Sequence, residues 1–164
     1  MQSTDSNFKE FMTSLELRIP PVALALAVAG CMWLVAKLLP SFGVEVPWRV
    51  VLAISLAGAG AIVAMAGVVA FRKARTTVNP TTPGATSAIV ASGIYRCSRN
   101  PMYLGFLLML AGWALLLANF MAMLFVPVFV LYMNRFQIAP EERALSAKFG
   151  PQYSQYMRQV RRWL

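Results

Sequence analysis

The sequence predicts an all-α integral membrane bundle of about four helical spans, and three observations predict it. Apolar residues make up 59% of the 164 and charged residues only 13%, too few charges to coat a soluble domain of that size. The apolar residues fall into runs long enough to cross a bilayer. The basic residues, which give a net charge of +9, gather in the connections that four spans place on a single side.

The elements follow in order. In residues 1–18, Phe8, Phe11, Met12 and Leu15 recur at helical spacing and lead to Ile19, behind the capping side chains Ser3, Asp5 and Ser6. This stripe predicts a short helix lying on the membrane surface. Asp5, Glu10 and Glu16 set the segment apart from a secretory signal peptide. Residues 19–39 form the first span, with Pro20 and Pro21 in its first turn, where a missing N–H costs little, and Lys37 near its far end. A short connection leads to the second span, residues 48–71, in which Gly58, Gly60, Ala64 and Gly67 allow close approach of helix backbones in lipid. Packing rather than chemistry is the reading for those small residues.

Residues 72–101 are the longest polar connection, with Pro80, Pro83 and Pro101, and exceed what a mere link needs. No charged residue occurs from 102 to 133. One helix of that length overruns a bilayer core of roughly 30 Å, so Asn119 is the expected turn of a tight helical hairpin. The second arm continues through Arg135 to about Ile138. In the tail, Pro140, Glu141 and Glu142 occupy the first turn of a further helix, where the dipole favours carboxylates, and Gly150-Pro151 ends it. A last helix carries Tyr153, Tyr156, Met157, Val160, Trp163 and Leu164 on one face, with Arg158, Arg161 and Arg162 elsewhere, a pattern that suits the headgroup region.

Four spans put the N-terminus, the 72–101 connection and the tail on one side. That side holds Lys9, Arg18, Arg72, Lys73, Arg75, Arg96, Arg99, Arg135, Arg143, Lys148, Arg158, Arg161 and Arg162; the other holds Lys37 and Arg49. The bias places both termini in the cytoplasm, and topology rather than nucleic-acid binding accounts for the basic charge. Histidine is absent, which excludes the commonest zinc, haem and Ser-His designs. Cys31 lies in an apolar run and Cys97 in a basic loop, so neither a disulfide nor a metal pair is expected.

Chemistry is therefore expected where two segments of the cytoplasmic face can meet. The first runs from Ser92 through Tyr95, Arg96, Arg99, Asn100, Pro101 and Tyr103 to Gly105, a basic, aromatic loop entering a membrane helix. The N–H groups near Met102–Gly105 can hold an anionic group, and Gly105 leaves room for a ligand at the backbone. The second runs from Arg135 to Tyr156 and brings Glu141 and Glu142, whose carboxylates suit hydroxyls, an amino group or positive charge. Taken singly, each residue has a plain reading: topology charge for Arg96 and Arg99, helix-terminal acids for Glu141 and Glu142, an interfacial aromatic for Tyr103. Together they suit a zwitterionic, nucleotide-like ligand.

The sequence Arg99-Asn-Pro-Met-Tyr-Leu-Gly105, an uncharged hairpin, and then Glu141-Glu142 with Leu145, Phe149, Gly150, Tyr153 and Tyr156 resembles the isoprenylcysteine carboxyl methyltransferase and phospholipid methyltransferase superfamily. The resemblance covers residues 71–164, so residues 1–71 read as a surface helix with two spans and 72–164 as a methyltransferase core. It implies an S-adenosylmethionine-dependent enzyme that transfers methyl to a lipophilic acceptor (a carboxylate, amine or thiol) entering from the membrane lipids, with a bacterial inner membrane as its location. By position it assigns Tyr95, Arg99, Asn100, Pro101, Tyr103, Leu104, Gly105, Glu141 and Glu142 to the cofactor. Arg135 falls where carboxyl-methylating members have an arginine near the acceptor carboxylate, and Glu142 is the implied base for an amine acceptor. Those members show His-Pro where this chain has Asn100-Pro101, and asparagine does not titrate near neutral pH. The competing class is a small multi-span transporter or channel subunit. The spans contain no Asp or Glu, and Lys37, like Arg49, lies near an edge, whereas coupling or conduction calls for ionisable groups within the membrane.

Overall fold

The computed structural model describes residues 16–40, 48–74 and 87–164. Most of the expected N-terminal surface helix, the connection 41–47 and part of the 72–101 connection lie outside the described residues. The described residues are helical with no strand.

Helix α1 (Pro21–Leu38) starts with proline at its first position and ends where Lys37 lies 5.8 Å from the Trp33 ring centroid. At 1.5 Å per residue its 18 residues reach about 27 Å. Helix α2 (Arg49–Lys73) is longer, and only Ala53, Gly60 and Gly67 are buried along it. These three recur every seven residues, so α2 offers a single narrow seam to the protein and the rest of its surface to lipid. Leu26, Ile62 and Leu131 show the same solvent, each about 70% exposed on spans of the bundle, as Leu and Ile side chains facing acyl chains should be.

The α2 seam receives α3 (Pro101–Leu117). A Cβ built on Gly105 falls 2.5 Å from the Gly60 carbonyl oxygen and 2.7 Å from the Ala64 Cβ; one on Gly112 falls 2.6 Å from the Ala53 carbonyl oxygen. The backbones are in contact, which is what small residues permit where no hydrophobic effect drives association. The expected packing role thus holds for Gly60, Ala64 and Gly67, while Gly58 meets nothing within 4 Å. Gly105 differs from its expected part: its open side is covered by α2, so helix packing, not a ligand, uses the missing side chain.

The hairpin turns where the polar residue interrupts the apolar run. Ala118 takes the left-handed conformation (φ 47°), and buried Asn119 caps the next helix by accepting from Ala122 N–H at 3.1 Å. Its Nδ2 donates to the Leu39 and Pro40 carbonyls at 3.1 and 3.3 Å, tying the turn to the end of α1. A helix of 30 residues follows, Phe120–Phe149. It comprises α4 (Phe120–Met123), α5 (Phe125–Tyr132), a π-helical segment (Met133–Ile138) and α6 (Ala139–Phe149). Its length of about 45 Å exceeds the hydrocarbon core, so the span ends near Ile138 and α6 stands in the interface. The expected new helix at Ala139 is therefore a continuation without a break. Pro140 lacks the N–H that would bond the Phe136 carbonyl, and the π turn absorbs the mismatch. The freed Phe136 oxygen accepts from Leu17 N–H at 3.0 Å.

Gly150 (φ 51°) ends α6, and α7 (Pro151–Gln159) turns back along the interface. The core joins the hairpin to α1 through Met32, Leu110, Ala114, Ala122, Phe129 and Met133. Trp113 Nε1 donates to the Ala29 carbonyl at 3.1 Å, fixing α3 against α1.

Candidate active site

Residues 87–100 return to the membrane through a 3₁₀ turn, Gly93–Arg96, which opens on the left-handed Gly93 (φ 60°). Tyr95 is buried there, its ring edge-on to Phe71 of α2 at 5.3 Å between centroids. The Tyr156 hydroxyl donates to the Tyr95 carbonyl at 2.8 Å. Asn100 then leads into α3, with Pro101 at the first helical position.

The end of the chain holds this loop mainly through backbone carbonyls. Arg99 N–H donates to the Arg161 carbonyl at 3.0 Å, and Asn100 Nδ2 donates to the Arg162 carbonyl at 3.0 Å. The Arg99 guanidinium reaches the C-terminal end of α7, where Nη1 donates to the Met157 and Val160 carbonyls at 2.9 and 3.2 Å. Orphan carbonyls and the negative end of the helix dipole both favour a cation there. Trp163 Nε1 donates to Asn134 Oδ1 at 3.0 Å and fastens the same strap to the π segment.

The two acids are adjacent in sequence yet sit in different surroundings. Glu142 is gripped by two arginines: Arg99 Nη2 at 2.8 Å on Oε1, Arg162 Nε at 3.2 Å on Oε1, and Arg162 Nη2 on Oε2. Glu141 has no described cation within ion-pair distance. Its Oε2 accepts from the Tyr103 hydroxyl at 2.9 Å, and Gln137 Nε2 approaches the same hydroxyl at 3.5 Å. Burial pushes the Glu141 carboxyl up to about 7, the Tyr103 hydrogen bond opposes this, and the Glu142 charge adds to it. Burial is also the main cause raising the Tyr95 and Tyr153 hydroxyls, and it takes Tyr156 to about 12.

Tyr95, Arg99, Asn100, Tyr103, Glu141 and Glu142 all line one cleft between the loop, α3, α6 and α7. Apolar Phe71, Val90, Met102 and Ile138 form part of its wall, and Tyr153 and Tyr156 close it from α7. Its cavity volume is about 60 Å³. Pro101, Leu104 and Gly105 are buried but do not line it. Arg135 does not line it either. It lies 2.7 Å from Glu16, with its guanidinium over the Phe136 ring at 5.5 Å, and Arg143 grips the other Glu16 oxygen. Glu16 and the clamping function of Arg162 are absent from the sequence-based site. Glu16 carried no motif, and Arg162 resembled any interfacial arginine.

The phospholipid methyltransferase family model matches residues 48–152, which takes in α2 as well as the hairpin and α6. An uncharacterized protein of Haemophilus influenzae is 52% identical over 63 residues, covering 38% of this chain and 100% of that protein. A protein-S-isoprenylcysteine O-methyltransferase of Schizosaccharomyces pombe is 35% identical over 72 residues, covering 44% of this chain. That match covers 30% of the yeast protein. No solved structure matches the chain.

Proposed function

This chain belongs to the phospholipid methyltransferase family, and we propose that it is an S-adenosylmethionine-dependent enzyme methylating a lipophilic acceptor at the cytoplasmic face of a bacterial inner membrane. The observation that carries the reading is the meeting of two distant segments across the hairpin, through Arg99–Glu142 at 2.8 Å and Tyr103–Glu141 at 2.9 Å.

The lining chemistry fits the cofactor. A sulfonium is cationic, and Glu141 offers a carboxylate not already claimed by a cation, beside the rings of Tyr95, Tyr153 and Tyr156. Arg99 Nε is buried with no hydrogen-bond partner, an orphan donor that a carboxylate or hydroxyl of the cofactor can satisfy. Bound there, S-adenosylmethionine supplies an electrophilic methyl group. Arg99, Asn100, Tyr103 and Glu142 orient the site, and Glu141 faces the positive charge. The apolar residues Phe71, Met102 and Ile138 give a lipophilic acceptor a path from the bilayer and help exclude water. In-line displacement depends chiefly on holding the two reactants in near-attack geometry, which this packed interface can supply. Arg135 reaches an anionic acceptor only by leaving Glu16.

The test is incubation of the purified protein in nanodiscs with methyl-labelled S-adenosylmethionine and a lipid extract. Saturable cofactor binding and a labelled lipophilic product are expected, and Arg99→Ala weakens the binding. No binding by the wild type, together with solute flux in proteoliposomes, replaces this reading with the transporter class.

A further inference from the structure

We propose that Glu141, hydrogen-bonded by Tyr103 within the cleft, is the proton acceptor for an amine nucleophile, and that its neighbour Glu142 is not. The inference rests on the methyltransferase reading above and concerns its amine acceptors.

The sequence assigns the base role to Glu142, and the structure reverses the choice. In space Glu142 accepts three hydrogen bonds from two guanidinium groups, so both of its oxygens are already engaged. Glu141 has no ion-pair partner among the described residues. Its described hydrogen-bond partner is a neutral hydroxyl, which orients the carboxylate without neutralising it. The titratable groups around it are Tyr103 of α3, Tyr95 of the 3₁₀ turn, Tyr153 of α7 and Glu142 of its own helix, none of them a cation. Arg99 and Arg162 are both engaged by Glu142, which leaves Glu141 as the cleft acid with no ion-pair partner among the described residues. The displacement of the Glu141 carboxyl to about 7 also suits proton exchange near neutral pH.

The step balances as follows. An ammonium acceptor gives one proton to the Glu141 carboxylate. The freed nitrogen lone pair forms the bond to the methyl carbon, the carbon–sulfur bond of the sulfonium donor breaks, and its electron pair stays on sulfur. Positive charge passes from sulfur to nitrogen, and the proton on Glu141 leaves to water.

Wild type, Glu141→Gln, Glu141→Asp, Glu142→Gln and Tyr103→Phe are compared in nanodiscs. Phosphatidylethanolamine is the amine probe and N-acetyl-S-farnesylcysteine the carboxylate probe. Calorimetry reads S-adenosylmethionine affinity, and infrared spectroscopy follows carboxyl titration. Glu141→Gln is expected to lower kcat on the amine about a hundredfold or more and to abolish the acidic limb of its pH profile, with cofactor affinity changed less than about tenfold. It also removes a carboxyl band titrating near neutral pH, which Glu142→Gln retains. Tyr103→Phe removes a hydrogen bond that lowers the Glu141 titration point, so the limb moves to higher pH. Glu141→Asp keeps the limb and guards against misfolding of the amide variant.

An acidic limb that survives in Glu141→Gln overturns the proposal. So does a cofactor affinity lost with kcat intact, or a wild type that methylates no amine. Those results leave the methyltransferase reading standing; failure of the wild type to bind S-adenosylmethionine removes that broader reading.

Discussion

Arg99 is the residue whose removal should cost most outside the membrane. Its guanidinium makes an ion pair with Glu142 and two hydrogen bonds to the end of α7, with the side chain only 11% exposed and that of Glu142 13%. Hydrogen bonds to charged groups contribute about 1.5–3 kcal/mol each, but they are not additive within one network. Glu142 also keeps Arg162 as a partner in Arg99→Ala, so it is not left as a bare buried charge. A loss of about 3 kcal/mol follows, at the low end for breaking a buried pair. Scaled by chain length, that is a fall of roughly 6–12 °C in melting temperature. Arg99→Lys should recover less than half, because an ammonium cannot reach Met157, Val160 and Glu142 together as the planar fork does. The assay is thermal unfolding in detergent, run as a double-mutant cycle with Glu142→Gln. The pair should couple by about 1–3 kcal/mol. Additive variants, or Arg99→Lys melting like the wild type, refute the account.

Three further outcomes are expected. Gly105→Leu should separate α2 from α3 and cost about 3 kcal/mol or more by overpacking, whereas Gly58→Ala, with open space around it, should be neutral or gain about 0.5–1 kcal/mol; thermal unfolding compares them. The Glu141 carboxyl is raised from 4.5 to about 7, so the folded state binds more protons between those values; this contribution is present in full below pH 4.5 and is lost as pH rises through 7. Glu141→Gln should therefore lack one downward step of stability across that window, read as the difference between the two variants' melting profiles. Ala118→Gly, at a left-handed position, should raise stability by about 1 kcal/mol, and an unchanged or lower melting temperature sinks the strain argument.

The spans were legible because they depend on run length, and the turn because one asparagine interrupts an apolar stretch. The meeting of residues 95–103 with 141–142 was legible through the spacing of two motifs. What sequence could not supply is how Asn100 is used. It stands where histidine is found in carboxyl-methylating members, yet its side chain donates to the Arg162 carbonyl, and a main-chain acceptor leaves no signature in residue type. The division of labour between Glu141 and Glu142 was equally hidden, since it is decided by which of them the guanidinium groups of Arg99 and Arg162 reach.

Pro140 shows why a local rule can be right about chemistry and incomplete about structure. Proline forbids one hydrogen bond, and the sequence reading turned that into a helix start. Packing instead kept the helix continuous, widened one turn into a π segment, and left the Phe136 carbonyl without the donor that position 140 gives in a regular α-helix. An orphan acceptor requires a partner, and Leu17 N–H supplies it at 3.0 Å, which brings Glu16 between Arg135 and Arg143. The helix defect and the docking of the N-terminal segment are thus one event. It fixes where Arg135 points, away from the cleft, from a cause five residues further along the same helix.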